Sequence, residues 1–336
     1  MFDSPHVRLV TVCATTLFMF LAMGNSFRVS IGMLVILTSY WILGNRILAS
    51  VVRSESAASA ASAAIRVIIG IVVHVGIALL ARPLIGWEVA SLILLGVPLV
   101  GGAWQVVRTS TSRSLAERTV APTGHEVVAI ATIALLYLGR DYRWANVAFV
   151  GLLLVLVGST HSVNRVGRTI SVIGGAAIVT VAQVSRGDYW WFVSNDHQWF
   201  EAIGLTAVRF GPLDHFGANT TLGLQYHFFT YAWTSGLSDL LGAEPLVVMT
   251  RTGPVVCAVL LSAIVWSFVG RCLPNSTSIQ FGVAAMFPLL FDYSYASPSH
   301  VFGMAQLLAV MYLVTCVRFR EYPLRAGLLG LMLGLG

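Results

Sequence analysis

The ionisable side chains of this sequence concentrate in one stretch, Arg186 to Glu244, which holds Asp188, Asp196, Glu201, Asp214 and Asp239 together with His197, His215 and His227. Within it, Asn195 can cap a helix, with Gln198 three residues on as in a capping box. Trp199, Ile203, Thr206 and Phe210 then fall on one side at helical spacing, and Gly211-Pro212 ends the helix. His197 and Glu201, four residues apart, share a face. Asp196 lies in the first turn, where the backbone N–H groups and the helix dipole favour an ionised carboxylate. A charged carboxylate with a histidine and a second carboxylate close by suits two kinds of chemistry. One is binding of a divalent cation, Mg²⁺ or Mn²⁺, by Asp196, His197 and Glu201; the other is removal of a proton from an alcohol by Asp196. The plainer alternative is that Asp196 only helps the helix start and Glu201 is solvated.

Other residues could converge on this stretch. His227, Tyr231, Thr234 and Ser238 recur at helical spacing, with Phe228, Phe229 and Trp233 elsewhere around the same helix. Such a polar stripe either lines a cavity or faces water across a membrane surface. Arg251 lies just inside an apolar run, where an ionisable residue is expensive and marks a functional position by default. Its anionic partner could be a lipid phosphate, Glu244 or Asp239, or its head could snorkel to the interface. FDYSYASPSH offers Asp292, Tyr293, Tyr295 and His300, or is an ordinary turn built on Ser-Pro. Tyr189 to Phe192 form an aromatic cluster suited to anchoring at a membrane interface.

The elements that must position these groups are membrane helices. A mean hydropathy of +0.82 with 57% apolar and 10% charged residues lies outside the range of soluble domains, which carry about a quarter charged residues. About eleven apolar runs are long enough to approach the thickness of a bilayer core. The fold class expected is therefore all-α: a polytopic transmembrane bundle with one long outer loop containing amphipathic surface helices. Runs near Leu9–Met23, Ser30–Leu48, Ile65–Ala81, Ile85–Trp104, Val127–Leu138, Ala145–Ser159 and Thr169–Val184 form an N-terminal unit, residues 1–185. Residues 186–245 are the loop. Leu246–Val269, Ile279–Phe291, Val301–Val317 and the run from Leu324 make up residues 246–336. That last run stops at Gly336 short of a full span, so the chain is expected to continue. RSESAASAASAA reads as a flexible linker. Cys13, Cys257, Cys272 and Cys316 lack metal or redox spacing and read as buried small side chains.

All the basic residues are arginines, and their placement in short loops sets an orientation. With the N-terminus cytoplasmic, Arg46, Arg53, Arg66, Arg108, Arg113, Arg118, Arg165, Arg168, Arg271, Arg318, Arg320 and Arg325 fall inside. Arg28, Arg82, Arg140, Arg143, Arg186 and Arg209 fall outside, and the long loop is extracytoplasmic. Leu222–Leu241 is then expected not to span. The positive charge serves topology, and nucleic acid is excluded as a partner.

SNDHQWFEAIG, then FGP, YHFFTYAW and a YASPSH-type outer loop resemble polytopic bacterial membrane enzymes of the GT-C glycosyltransferase type. The resemblance covers roughly Tyr189 to His300. It implies a protein of the bacterial plasma membrane that takes a lipid-linked sugar donor, a polyprenyl phosphate or pyrophosphate, on the outer face. The acceptor would be a glycan, lipid or protein. It implies Asp196 as catalytic base or metal ligand and His197 and Glu201 as metal or substrate contacts. Arg251 would hold the carrier phosphate, and Arg209, His227, Tyr231 and His300 would contact substrate. In those enzymes the acidic loop usually follows the first membrane helix, whereas here about seven candidate spans precede it. The alternatives are a polymerase or ligase of lipid-linked oligosaccharides, which should rely on loop arginines where this loop has only Arg186 and Arg209, a transporter or flippase, which should carry ionisable groups at mid-membrane where these helices have few apart from His74 and Arg251, and a non-catalytic membrane scaffold.

Overall fold

The computed structural model describes residues 5–22, 24–51, 60–109, 228–273 and 298–316, with residues 129, 130, 133, 134, 202, 205, 280, 283, 284 and 330. Every described regular element is helical. They are α1 (Pro5–Ala22), α2 (Phe27–Val51), α3 (Ala60–Ile85), α4 (Trp87–Thr109), α5 (Phe228–Leu241), α6 (Pro245–Val247), α7 (Gly253–Cys272) and α8 (Pro298–Cys316). A π-helical turn, Val248–Thr252, joins α6 to α7. Three stretches are long and apolar enough to cross a membrane: Phe27–Leu48, Ala63–Ile85 and Pro245–Cys272. In hydrocarbon a backbone must satisfy its own hydrogen bonds, and the helix is the local way to do so. Leu80, Leu84, Leu92 and Val100 are 62–86% exposed. This is the apolar outer surface a protein presents to lipid.

Small residues let the helices approach closely, as expected where apolar side chains gain little by leaving lipid. α2 and α3 pack antiparallel as the most extensive pair. Gly70 lies against the backbone of Tyr40, and Gly44 against the backbone of Arg66. Gly101 and Gly102 of α4 meet Arg46 and Ile42 of α2, and Gly236 of α5 meets the indole of Trp87. α7 packs on α3 and α8.

One end of the bundle is closed by two matching turns. Gly24 has a φ of 73° and Gly242 of 58°, the left-handed region that suits glycine. After α1, Gly24 N–H bonds to Leu21 O at 2.9 Å and Asn25 N–H to Phe20 O at 3.1 Å. After α5, Gly242 N–H bonds to Asp239 O at 3.4 Å and Ala243 N–H to Ser238 O at 3.0 Å. Both are Schellman motifs, which satisfy the last carbonyls of a helix. Ser26 then caps α2, accepting from Val29 N–H at 3.3 Å.

The spans expected from the sequence over α1–α4, α7 and α8 agree with these helices to within a few residues, except that α3 begins at Ala60 and takes in part of the small-residue linker. Those at Val127–Leu138, Ala145–Ser159, Thr169–Val184, Ile279–Phe291 and from Leu324 lie wholly or mostly outside the described residues. The structure also gives the two ends of the bundle different charges. Arg46, Arg66 and Arg271 belong to one end, while Arg28, Arg82 and Arg251 gather at the other with Glu88, Asp239 and Glu244.

Candidate functional site

Asp196, His197, Glu201, Arg209 and His227, the expected acid, metal ligands and substrate contacts, lie outside the described residues. Among the described residues no three His, Cys, Asp or Glu side chains come together as a metal site. His300 belongs to the first turn of α8. The two remaining candidates, Tyr231 and Arg251, are placed, and each differs from its simplest reading.

Tyr231 is on α5, and α5 is packed among the apolar helices, touching α2, α3, α4, α8 and the π-helical turn. Every residue from Phe229 to Ser238 is buried. The polar stripe therefore does not face water across a membrane surface. Tyr231 and Trp233 are 0% exposed and Thr234, Ser235 and Ser238 no more than 3%. The helix tolerates these hydroxyls because they bond to its own backbone: Thr234 Oγ1 donates to Tyr231 O at 3.1 Å and Ser238 Oγ to Ser235 O at 2.5 Å. On the other side Phe302 of α8 stacks against both Phe229 and Trp233, with ring centroids 6.1 and 5.7 Å apart.

Arg251 stands on the π-helical turn at the bundle end that holds the two glycine turns. The turn has a local cause. Pro254 has no N–H to give to the carbonyl four residues back, and its ring would crowd that carbonyl. The helix instead takes an extra residue there, with Gly253 N–H bonding to Val248 O. Insertions of this kind are frequent at functional sites. The partly exposed Arg251 guanidinium donates from Nη1 to Gly24 O at 2.9 Å. It thereby places positive charge at the negative end of the α1 dipole. Beside it, the buried Thr252 hydroxyl donates to Asn25 Oδ1 at 2.7 Å, and Asn25 Nδ2 donates to Phe20 O at 3.0 Å. Arg28 leans over the second turn, its Nη2 2.9 Å from where a Cβ on Gly242 would stand. Two arginines thus cover the C-terminal ends of α1 and α5.

A second polar centre lies inside the bundle, and sequence reasoning noted two of its members, His74 and Trp233, without joining them. His74 is at the middle of the span Ala63–Ile85 and is 0% exposed. Its Nδ1 is 3.0 Å from Tyr40 Oη, and Trp233 Nε1 donates to the same Oη at 3.2 Å. The chain Trp233–Tyr40–His74 joins α5, α2 and α3. The other face of the imidazole meets Trp87 of α4, with ring centroids 5.6 Å apart. A tyrosine and a histidine in mid-span were visible signals; their pairing with a tryptophan of the loop was not.

Replacing Tyr40 by phenylalanine should lower stability by about 1–3 kcal/mol, because it takes from both Trp233 Nε1–H and His74 Nδ1 their hydrogen-bond partner in the bundle interior. Thermal unfolding in detergent measures this. Adding Trp233→Phe should then cost little beyond the lost volume, since the two changes remove one shared bond. Full additivity would mean the bond contributes nothing. No known protein family, curated protein or solved structure matches the chain.

Proposed function

We propose that the protein is a membrane glycosyltransferase of the GT-C kind, moving a sugar from a polyprenyl-phosphate donor to a glycan, lipid or protein acceptor at the outer face of a bacterial plasma membrane. The observation that supports this reading most directly is the setting of Arg251. A lipid phosphate lies at the depth of helix ends, and Arg251 is partly exposed there, on a helical turn widened by Pro254, with Arg28 at the same end. The acidic segment around Asp196 supplies the complementary half of the chemistry. A phosphate is already a good leaving group, so the reaction needs a cation on the phosphate and a base for the acceptor hydroxyl rather than a strong general acid. Asp196 is the base, or with His197 and Glu201 holds a divalent cation. Arg209, His227, Tyr231 and His300 are the proposed substrate contacts. In this orientation the N-terminus and the Arg46, Arg66 and Arg271 end are cytoplasmic.

The test is a comparison of envelope glycans and lipid-linked sugars in cells with the gene deleted, restored, or restored as Arg251→Gln at matched membrane levels. Deletion should remove one glycan and accumulate its lipid-linked donor. The wild-type gene should reverse this and Arg251→Gln should not. An unchanged profile on deletion would remove the transferase reading.

One observation favours a second reading, transport. His74 at mid-span, hydrogen-bonded between helices, is the kind of intramembrane group that marks substrate or proton pathways. In that case His74→Phe, not Asp196→Asn, would reproduce the deletion phenotype.

A further inference from the structure

Three buried donors on α3 and α4 have no partner among the described residues: His74 Nε2, Trp87 Nε1 and Ser91 Oγ. All three side chains are more than nine-tenths buried, at 0%, 4% and 0% exposure. The rings of His74 and Trp87 are in contact, and Ser91 follows Trp87 by four residues, one turn along the same face of α4. Gly236 of α5 closes the indole edge, since a Cβ there would meet Trp87 Nε1 at 2.6 Å.

The hydrogen-bond inventory says what is needed at this place. An indole N–H only donates, so Tyr40 Oη accepts from Trp233 and its own proton is free to go to His74 Nδ1. The opposite arrangement, with Nδ1 donating to Oη, would leave the phenol proton as well as Nε2 unsatisfied. His74 is therefore neutral with its proton on Nε2. That leaves two N–H groups, Nε2–H and the Trp87 indole, each requiring an acceptor, and one hydroxyl able to give or take. Buried polar groups in native proteins find partners, and lipid offers none. Among the described residues, the charged groups nearest along α3 and α4 are engaged or face away. Arg66, on the same helix about two turns away, stacks over Trp41 with its Cζ 5.8 Å from the ring centroid, and Glu88 is exposed at the bundle end. No cation among the described residues is placed to compensate an anion here, and a cation would meet donors.

We infer that His74, Trp87 and Ser91 form an intramembrane binding site for a small uncharged molecule with an oxygen acceptor. The oxygen takes hydrogen bonds from His74 Nε2–H and Trp87 Nε1–H, and if it carries a proton it donates to Ser91 Oγ. Water has this set of two lone pairs and a proton; so has the hydroxyl of an organic molecule. The inference does not depend on the transferase or the transport reading.

The full chain, with ¹⁵N in its indole and imidazole rings, can be placed in bilayers of synthetic phosphatidylcholine and observed by magic-angle-spinning NMR, with Trp87→Phe assigning the Trp87 signal. The expected result is a downfield, hydrogen-bonded Trp87 Nε1–H and a His74 ring protonated at Nε2. A cross-peak from these protons to water identifies water as the occupant. No such cross-peak, with both signals moving upfield after the purified protein is stripped by organic extraction and a neutral molecule found in the extract, identifies an organic hydroxyl or carbonyl. Ser91→Ala should shift both signals, and unmoved signals would take Ser91 out of the site. A Trp87 Nε1–H at the unbonded position, or a His74 proton on Nδ1, would overturn the inference.

Discussion

Replacing Gly70 by leucine is expected to unfold much of the protein. A Cβ at Gly70 would stand 2.7 Å from the Cα of Tyr40 and closer still to its carbonyl oxygen. These are backbone atoms of a neighbouring helix, so no side chain can rotate out of the way. α2 and α3 would have to separate along the contact that also includes Gly44 and Arg66. Overpacking typically costs about 1–3 kcal/mol and more where the backbone must move. Against a total stability of about 5–15 kcal/mol, that loss combined with a broken Tyr40–His74 pair is enough to unfold much of the population. A fluorescent fusion should change from a monodisperse gel-filtration peak to aggregate, with Gly70→Ala intermediate. Gly76 is the control: it lies on the same helix with nothing within 4 Å of its notional Cβ. Gly76→Ala should be neutral or slightly stabilising, since alanine is the better helix former. If Gly70→Leu melts like wild type, the close α2–α3 crossing is wrong.

The other large effect concerns chemistry. Asp196→Asn is expected to lower sugar transfer by about a hundred- to ten-thousand-fold, the usual contribution of a positioned general base. The amide keeps the shape of the carboxylate but cannot take a proton. The cost to the fold should be small, because the helix-terminus interaction expected from the sequence is typically worth about 0.3–1 kcal/mol. Transfer from a synthetic polyprenyl-phosphate sugar by purified protein measures it, with membrane levels and melting temperature checked alongside. Chelation separates the two roles of the acid. If Asp196, His197 and Glu201 hold a cation, activity should vanish with a chelator and return with Mg²⁺ or Mn²⁺. A wild-type rate for Asp196→Asn would sink Asp196 as the catalytic acid.

What the sequence made legible was decided by how local each signal is. The helices α1–α4 and α7 follow from run length alone, because crossing hydrocarbon sets both a minimum length and a composition. The burial of α5 did not follow. Its hydroxyls suit a stripe that lines a cavity or faces water, but Thr234 and Ser238 bond to their own helix, and a hydroxyl that does so can enter a bundle at little cost. Arg251 was legible as an expensive residue but not as one that closes the α1 turn, since its bond to Gly24 joins positions 227 residues apart. The Trp233–Tyr40 bond, across 193 residues, was hidden for the same reason. Periodicity reports on neighbours along a helix, and nothing in it pairs one helix with another.

That separation has a consequence for how the molecule is made. α2 and α3 are consecutive and can pair as soon as both have left the ribosome, yet Trp233 is synthesised 193 residues after Tyr40. At about 5–20 residues per second the interval is roughly 10–40 s. For that time the young bundle has Tyr40 and His74 in place without the indole that joins them to α5. A chain arrested before this point carries an exposed polar pair in its membrane interior. Trp233 is therefore the residue whose arrival completes this polar chain within the bundle.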